Sequence, residues 1–247
     1  MTTILGAAAS GLQHYNRAMD VIGHNLANVN SGAFKASRAV SEGAPNPAAA
    51  ETGGRLGVAT TTIDRLFNPG GATITSDPLH FGIQDDAFFQ VTAHDGEPAF
   101  TRYGALSLDA ARNIVAHGGR HLDPPIALEE GMTRPAIDRG GIITALDAEG
   151  ETVELGRIPL LKVGNPRGLE AIGDGLYRQT ANSGEITEGF AGEDGFAGLL
   201  PGGIEGSNVD ISTEFANMVI AQRAYQANAR SFSVGDEMLA IATNITR

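Results

Sequence analysis

The sequence contains no cysteine and no tryptophan, and aromatic residues make up only 6% of its 247 positions. Without cysteine there is no disulfide, no thiolate metal site and no cysteine nucleophile. Without tryptophan, the core cannot rest on large flat side chains; 33 glycines point instead to tight turns and small-residue contacts. Nowhere do 18 apolar residues stand together, so no membrane insertion is expected. The opening stretch MTTILGAAASGL has neither a basic leader nor an apolar run of secretory length, so a cleaved signal peptide is not expected either.

Positive charge is also scarce. Seventeen basic residues face 29 acidic ones, for a net charge of −12. A nucleic-acid or anionic-membrane partner would have to work against that field, and neither is expected. The deficit sits in the middle of the chain. Residues 1–38 hold three basic residues against one acidic, and residues 203–247 hold three against five.

What is present is pattern. Hydrophobic residues reach 42%, ample for a folded core. Leu5, Ala8, Leu12, Tyr15, Met19, Ile22, Leu26 and Val29 alternate steps of three and four, a heptad seam that ends at Ser31, Gly32 and Ala33. A helix over residues 4–29 would run about 40 Å. The other end repeats the spacing with Ile211, Phe215, Met218, Gln222, Tyr225, Ala229, Phe232, Asp236 and Leu239; Asp210 or Ser212 is placed to cap it, and Glu214 puts negative charge in its first turn. Gln222 and Asp236 interrupt the seam with polar groups, which in such seams set register or partner number.

Between the helices the period changes from helical to alternating. Phe88–Thr92, Phe100–Tyr103, Leu106–Leu108, Ile142–Leu146, Thr152–Leu155 and Ile158–Val163 read as short strands, and Asp147–Gly150 sits at the centre of a hairpin. The layout is α+β: long N- and C-terminal helices forming a coiled-coil-like pair, with a mainly antiparallel β body inserted between them. Its expected segments are 1–40 (core helix and exit turn), 41–57 (an Ala/Gly/Pro linker), 58–188 (β-rich body), 189–203 (a Gly-rich linker) and 204–247 (core helix).

A narrow seam on a lone helix buries too little apolar surface to offset the entropy of ordering it. Two arrangements answer that deficit. Both ends can be weakly ordered in the free monomer and fold fully when several subunits share their seams, or they can close as an intramolecular helical hairpin over the β body.

Enzyme chemistry finds no constellation. Of the six histidines only His117 and His121 are close in sequence, and they flank the turn-like Gly118, Gly119 and Arg120, where surface histidines are the plainer reading than a zinc site. Glycines 189, 192, 195 and 198 mimic a phosphate loop by count, but no Lys-Ser or Lys-Thr follows and Glu193 and Asp194 would repel a phosphate. Asp85 and Asp86 read as a solvated turn before a strand. No catalytic residue, metal ligand or cofactor site is expected.

The segment SGLQHYNRAMDVIGHNLANVNSGAFKASRA, Ser10–Ala39, resembles the N-terminal signature of the flagellar basal-body rod and hook protein family, with matches at Ser10, Gly11, Leu12, Asp20–Ile22, Asn25–Asn30, Phe34 and Lys35. IEGSNVDISTEFANMVIAQRAYQANARSFSVGDEML resembles the closing motif of the same family, with matches including Glu205, Asp210, Glu214, Gln222, Arg223, Tyr225 and Asp236. FFQV, FTRYG and NPRGLEAIGDGLYRQTANSG are similar to its β body. The chain departs from the family at Ala33, Ala87 and Arg112, where glycine is favoured, so those turns must differ in type or tolerate strain.

The resemblance implies a structural subunit of the flagellar axis, passed through the flagellar export apparatus. It implies self-association into a helical tube through the terminal helices, with rod and hook subunits as neighbours and no cofactor. The length and the DVIGHNLANVN and AQRAYQANAR segments look closer to the distal rod than to the proximal rod; a hook subunit or an oligomeric surface binding module is the alternative. The implied location is the basal body, in an axial structure that spans the periplasm. The assembly interface would comprise Leu5, Leu12, Met19, Ile22, Asn25, Leu26, Asn28, Val29, Phe215, Met218, Gln222, Arg223, Tyr225, Phe232 and Leu239. The asparagines would fix the exit of the first helix as well.

Overall fold

The computed structural model describes residues 2–45 and 55–245. Helix α1 (Thr2–Ala27) comes first. It is followed by strands β1 (Ser37–Pro45), β2 (Arg55–Arg65), β3 (Ala72–Ile74), β4 (Phe81–Ile83), β5 (Ala87–Thr92), β6 (Pro98–Thr101), β7 (Ser107–Leu108), β8 (Asn113–Ala116) and β9 (Arg120–Ala127). Then come β10 (Thr133–Ile137), β11 (Ile142–Leu146), β12 (Thr152–Arg157), β13 (Leu160–Val163), β14 (Glu170–Gly173), β15 (Leu176–Arg178), β16 (Ile186–Gly189), β17 (Leu199–Pro201) and β18 (Gly203–Glu205), and helix α2 (Ile211–Ile245) closes the chain. The chain divides into two compact units: Met1–Val29 with Ala36–Leu66 and Val209–Arg247, and Asn30–Lys35 with Phe67–Asn208.

In the first unit α1 packs on one side against the antiparallel hairpin of β1 and β2 and on another against α2. The helices run antiparallel. Asn25 meets Glu214 near one end; towards the other, a Cβ added at Gly11 would lie 2.6 Å from Asn228 Oδ1 and one at Gly235 would lie 2.9 Å from Leu5 Cδ2. Small residues thus let the two backbones approach closely. The start of α2 is capped as its sequence suggested, with Asp210 Oδ1 accepting from the Thr213 N–H at 2.6 Å.

The second unit is antiparallel throughout its sheets. Its largest sheet runs β14-β15-β6-β5-β9-β8-β7, with β13 joined to β5 and β16 joined to β13; β10-β11-β12 form a separate meander. Alternation along β5 sends Phe88 and Phe89 to opposite faces. Phe89 enters the main core with Phe81, Ile114, Ile143, Leu160 and Leu199, and Phe88 packs with Phe100, Leu161 and Tyr177 in a smaller one. The expected hairpin forms as β11 and β12, paired from Ile142↔Arg157 to Leu146↔Thr152, and Asp147 Oδ1 accepts from the Glu149 and Glu151 N–H groups in its turn.

Two stretches expected to be linkers differ. Within 41–57, Ser41–Pro45 and Arg55–Gly57 are paired strand, because the β-branched run that follows extends the hairpin backwards; residues 46–54 lie outside the described residues. The β body starting at residue 58 therefore loses β2 to the helical unit. The glycine-rich 189–203 is ordered, containing β17, the first residue of β18 and the core residues Phe196 and Leu199. Gly189 is glycine because the Phe196 ring occupies its side-chain space, 2.3 Å from where a Cβ would stand. The glycines there make room for packing.

Candidate assembly surface

Helix α2 turns one face to α1 and leaves the rest uncovered. The inward face is Glu214, Met218, Ala221, Ala224, Asn228, Gly235 and Leu239, half-buried or buried. It is displaced by about one residue from the heptad seam, so Phe215 (55% exposed), Tyr225 and Phe232 project outward, with Gln222 and Arg223 exposed beside them. Further apolar side chains that the seam did not include are also exposed: Val219, Ile220 at 64%, Val234, Met238 and Ile241. Their signal was in the sequence. A helix apolar on more than one face needs more than one neighbour.

Helix α1 is the opposite case. Ile22 is buried, and Leu5, Leu12, Met19, Leu26, Asn28 and Val29 are half-buried, while its exposed positions are polar, at Gln13, Asn16, Arg17, Asp20 and His24, or small, at Gly6, Gly23 and Ala27. The hairpin and α2 between them use most of its apolar surface.

Asn25 is only 1% exposed and joins three elements of its own unit. Its Nδ2 donates to the Ser37 carbonyl at 2.7 Å and to Glu214 Oε1 at 3.0 Å, and its Oδ1 accepts from the Ser37 N–H at 2.9 Å. The amide pairs with Ser37 as a neighbouring strand would, satisfying both backbone groups where α1 gives way to β1. Asn28 Nδ2 donates to the His24 carbonyl at 2.9 Å, tying off the last turn of the helix. Both asparagines therefore fix the helix exit, and the hydrogen-bonding capacity of Asn25 is spent inside the unit.

A cluster that sequence reasoning quoted only as matched letters lies in the second unit. Lys35, Arg102 and Glu205 have side chains 0, 1 and 2% exposed. Glu205 Oε1 takes Lys35 Nζ at 2.7 Å and the Gly70 N–H at 3.1 Å, and Oε2 takes Arg102 Nε at 2.8 Å. Lys35 Nζ also donates to the Asn68 carbonyl, and Arg102 donates to the carbonyls of Ala87 and Asp85. Burial pushes the carboxyl pKa of Glu205 up, but Arg102 and Lys35 outweigh it and hold the group below its ordinary value. Lys35 is lowered too, by burial first and then by Arg102, with Glu205 opposing. The two directions agree once the charges are counted: two cations share one carboxylate, so the anion is over-supplied and the cations are short of partner.

The three departures from family glycine resolve differently. Ala33 and Arg112 adopt left-handed backbone, at φ 53° and 65°. Arg112 offsets this with its guanidinium, which donates to the carbonyls of Leu128, Glu129 and Met132. Ala87 has no positive φ and sits fully buried in β5.

Asp85 is engaged structurally, paired with Lys162 Nζ at 2.6 Å and accepting from the Ala197 N–H. The backbone between His117 and His121 turns around Arg120, which donates to the His117 carbonyl and to Asp174. Among the described residues no group of three or more His, Asp or Glu side chains could hold a metal, and no helix is long and apolar enough to cross a membrane.

The comparisons with known proteins agree with this geometry. Residues 82–145, within the second unit, match the profile of the flagellar hook protein FlgE/F/G D1 domain, and residues 200–245, covering α2, match that of the flagellar basal body rod FlgEFG protein C-terminal region. The chain is 35% identical to the flagellar basal-body rod protein FlgG of Borreliella burgdorferi, with all of both chains covered. It is 34% identical to that of Caulobacter vibrioides over 95% of this chain and 96% of the relative. To the flagellar hook protein FlgE of Treponema pallidum it is 28% identical, over 78% of this chain and 42% of the relative. An architecture of two terminal helices and an antiparallel β unit between them in sequence, matched end to end at this identity, means that the chain belongs to the flagellar basal-body rod and hook family and is more similar to its FlgG rod proteins than to this hook protein.

Proposed function

We propose that this chain polymerises through its terminal helices as a subunit of the flagellar rod, in the distal part, and passes motor torque along the axis. As a family member it is an axial structural subunit of the flagellar basal body. The observation that carries the finer reading is the outward apolar surface of α2. Phe215, Val219, Ile220, Phe232, Val234 and Ile241 are left uncovered by α1 and are too many to stand singly on a stable soluble surface. Neighbouring copies in a tube, and neighbouring rod and hook subunits at its ends, would bury them. End-to-end similarity to rod proteins, against partial similarity to a longer hook protein, favours rod over hook. Export through the flagellar apparatus and a position across the periplasm accord with the same reading.

The test is complementation. In a host lacking its own copy, the Ile220→Ser/Phe232→Ser double variant should accumulate as folded protein yet fail to restore motility or extend the rod. Normal swimming by that variant would refute assembly through α2. A binding module would keep its ligand after the terminal helices are deleted, whereas a rod subunit would lose incorporation.

A further inference from the structure

The second unit receives the chain from the helical unit at Asn30–Lys35 and surrenders it after Asn208. Both stretches are held by one group. Glu205 accepts from Lys35 Nζ through its carboxylate and from the Ala33 N–H through its own carbonyl, at 2.7 and 2.8 Å. The stretch after Phe67 joins them: the Gly70 N–H bonds Glu205 Oε1, Lys35 bonds the Asn68 carbonyl, and the Gly206 N–H bonds the Gly71 carbonyl at 2.7 Å. Asn208 closes the ring, its N–H donating to the Phe34 carbonyl and its Nδ2 to the Asn68 carbonyl. Arg102 anchors the whole to the sheet through the Ala87 and Asp85 carbonyls.

A buried ion cluster cannot be dismantled one bond at a time. Withdrawing Lys35 or the Glu205 stretch alone strands the remaining charges without water, and an unpaired buried charge is far more costly than a lost hydrogen bond. Letting water in satisfies all three charges at once, but only if the stretches carrying them leave together. We propose that Lys35, Arg102 and Glu205 form a latch that makes residues 30–35, 67–71 and 203–208 open and close as one cooperative segment, separately from the β sheet that anchors it. Local opening in such units is the usual form of native-state fluctuation, and here the charge cluster sets the boundary of the unit. Glu205 is the positioning residue of the latch, because its carboxylate bonds Lys35 of the first stretch, the Gly70 N–H of the second and Arg102 on the sheet. The inference concerns the single chain and stands or falls independently of polymerisation.

The experiment is native-state hydrogen exchange on the dilute full chain in increasing denaturant, read at four amides: Ala33, Gly70, Gly206 and Asn208. They should converge on one isotherm that lies below global unfolding, while amides of β5 and β11 exchange only with global unfolding. In Glu205→Gln all four should accelerate together, by roughly a hundredfold or more, while β5 and β11 accelerate by no more than the loss of global stability accounts for. Four separate isotherms would overturn the latch, and so would merging of all four with the β5 amides. If Glu205→Gln does not fold, the isotherms of the unaltered chain decide the matter.

Discussion

Glu205 is the residue whose chemistry is most exposed to test. Its folded pKa lies below the unfolded value of about 4.5, so the stability it contributes is fully present above that value and is lost as pH falls through the folded pKa. Unfolding followed by circular dichroism should show a destabilisation on acidification that shrinks in Glu205→Gln. At neutral pH that substitution leaves two buried cations without their counter-charge and should cost about 3–5 kcal/mol. Lys35→Met should cost less, because Arg102 still bonds both carboxylate oxygens, at 2.8 and 3.3 Å. Equal losses in the two variants would contradict the accounting of one anion between two cations. Arg112 offers a second comparison. Both Arg112→Ala and Arg112→Gly lose the three carbonyl contacts, but only alanine keeps a Cβ at φ 65°, so it should be the less stable by about 1–2 kcal/mol in thermal melts. The sequence could flag Arg112 as misplaced; it could not show the guanidinium turning back onto residues 128–132, which depends on chain folding.

At the scale of elements, the terminal helices and the short strands were legible because heptad and alternating periods are local properties of a chain. The capped start of α2 at Asp210 and the hairpin around Asp147 follow from side chains that bond their own turns. Tertiary packing escaped the same reading. The glycines of 189–203 suggested a linker returning to the last helix, yet Phe196 and Leu199 fill the core there, and glycine serves to admit the ring. Likewise the seam of α2 located a helix but misjudged its inward face by about one residue, since small Ala221 and Gly235 allow a closer approach than Gln222 and Asp236 could. The interface expected at Asn25 turned inward for a related reason: the end of a helix beside the first residue of a strand leaves backbone groups that an amide is shaped to satisfy. The helices themselves yield a prediction. In a dilute monomer, α2 amides should exchange quickly while those of β5 stay protected, and polymerisation should protect α2. Slow exchange throughout α2 in the monomer would show that α1 alone suffices to hold it.

For the whole molecule, charge and apolar surface are divided between regions. The acidic middle of the chain carries 11 basic residues against 23 acidic, while both ends are nearly neutral, so terminal helices can approach one another without the self-repulsion of the bodies. The uncovered apolar surface is concentrated on α2, where burial between copies is most favourable. Electron cryo-microscopy of basal bodies assembled with this subunit tests that division directly. The account predicts that Phe215, Ile220, Phe232 and Ile241 are each packed against side chains of neighbouring subunits. A map in which those residues face water, with subunits joined only through their β units, would contradict it.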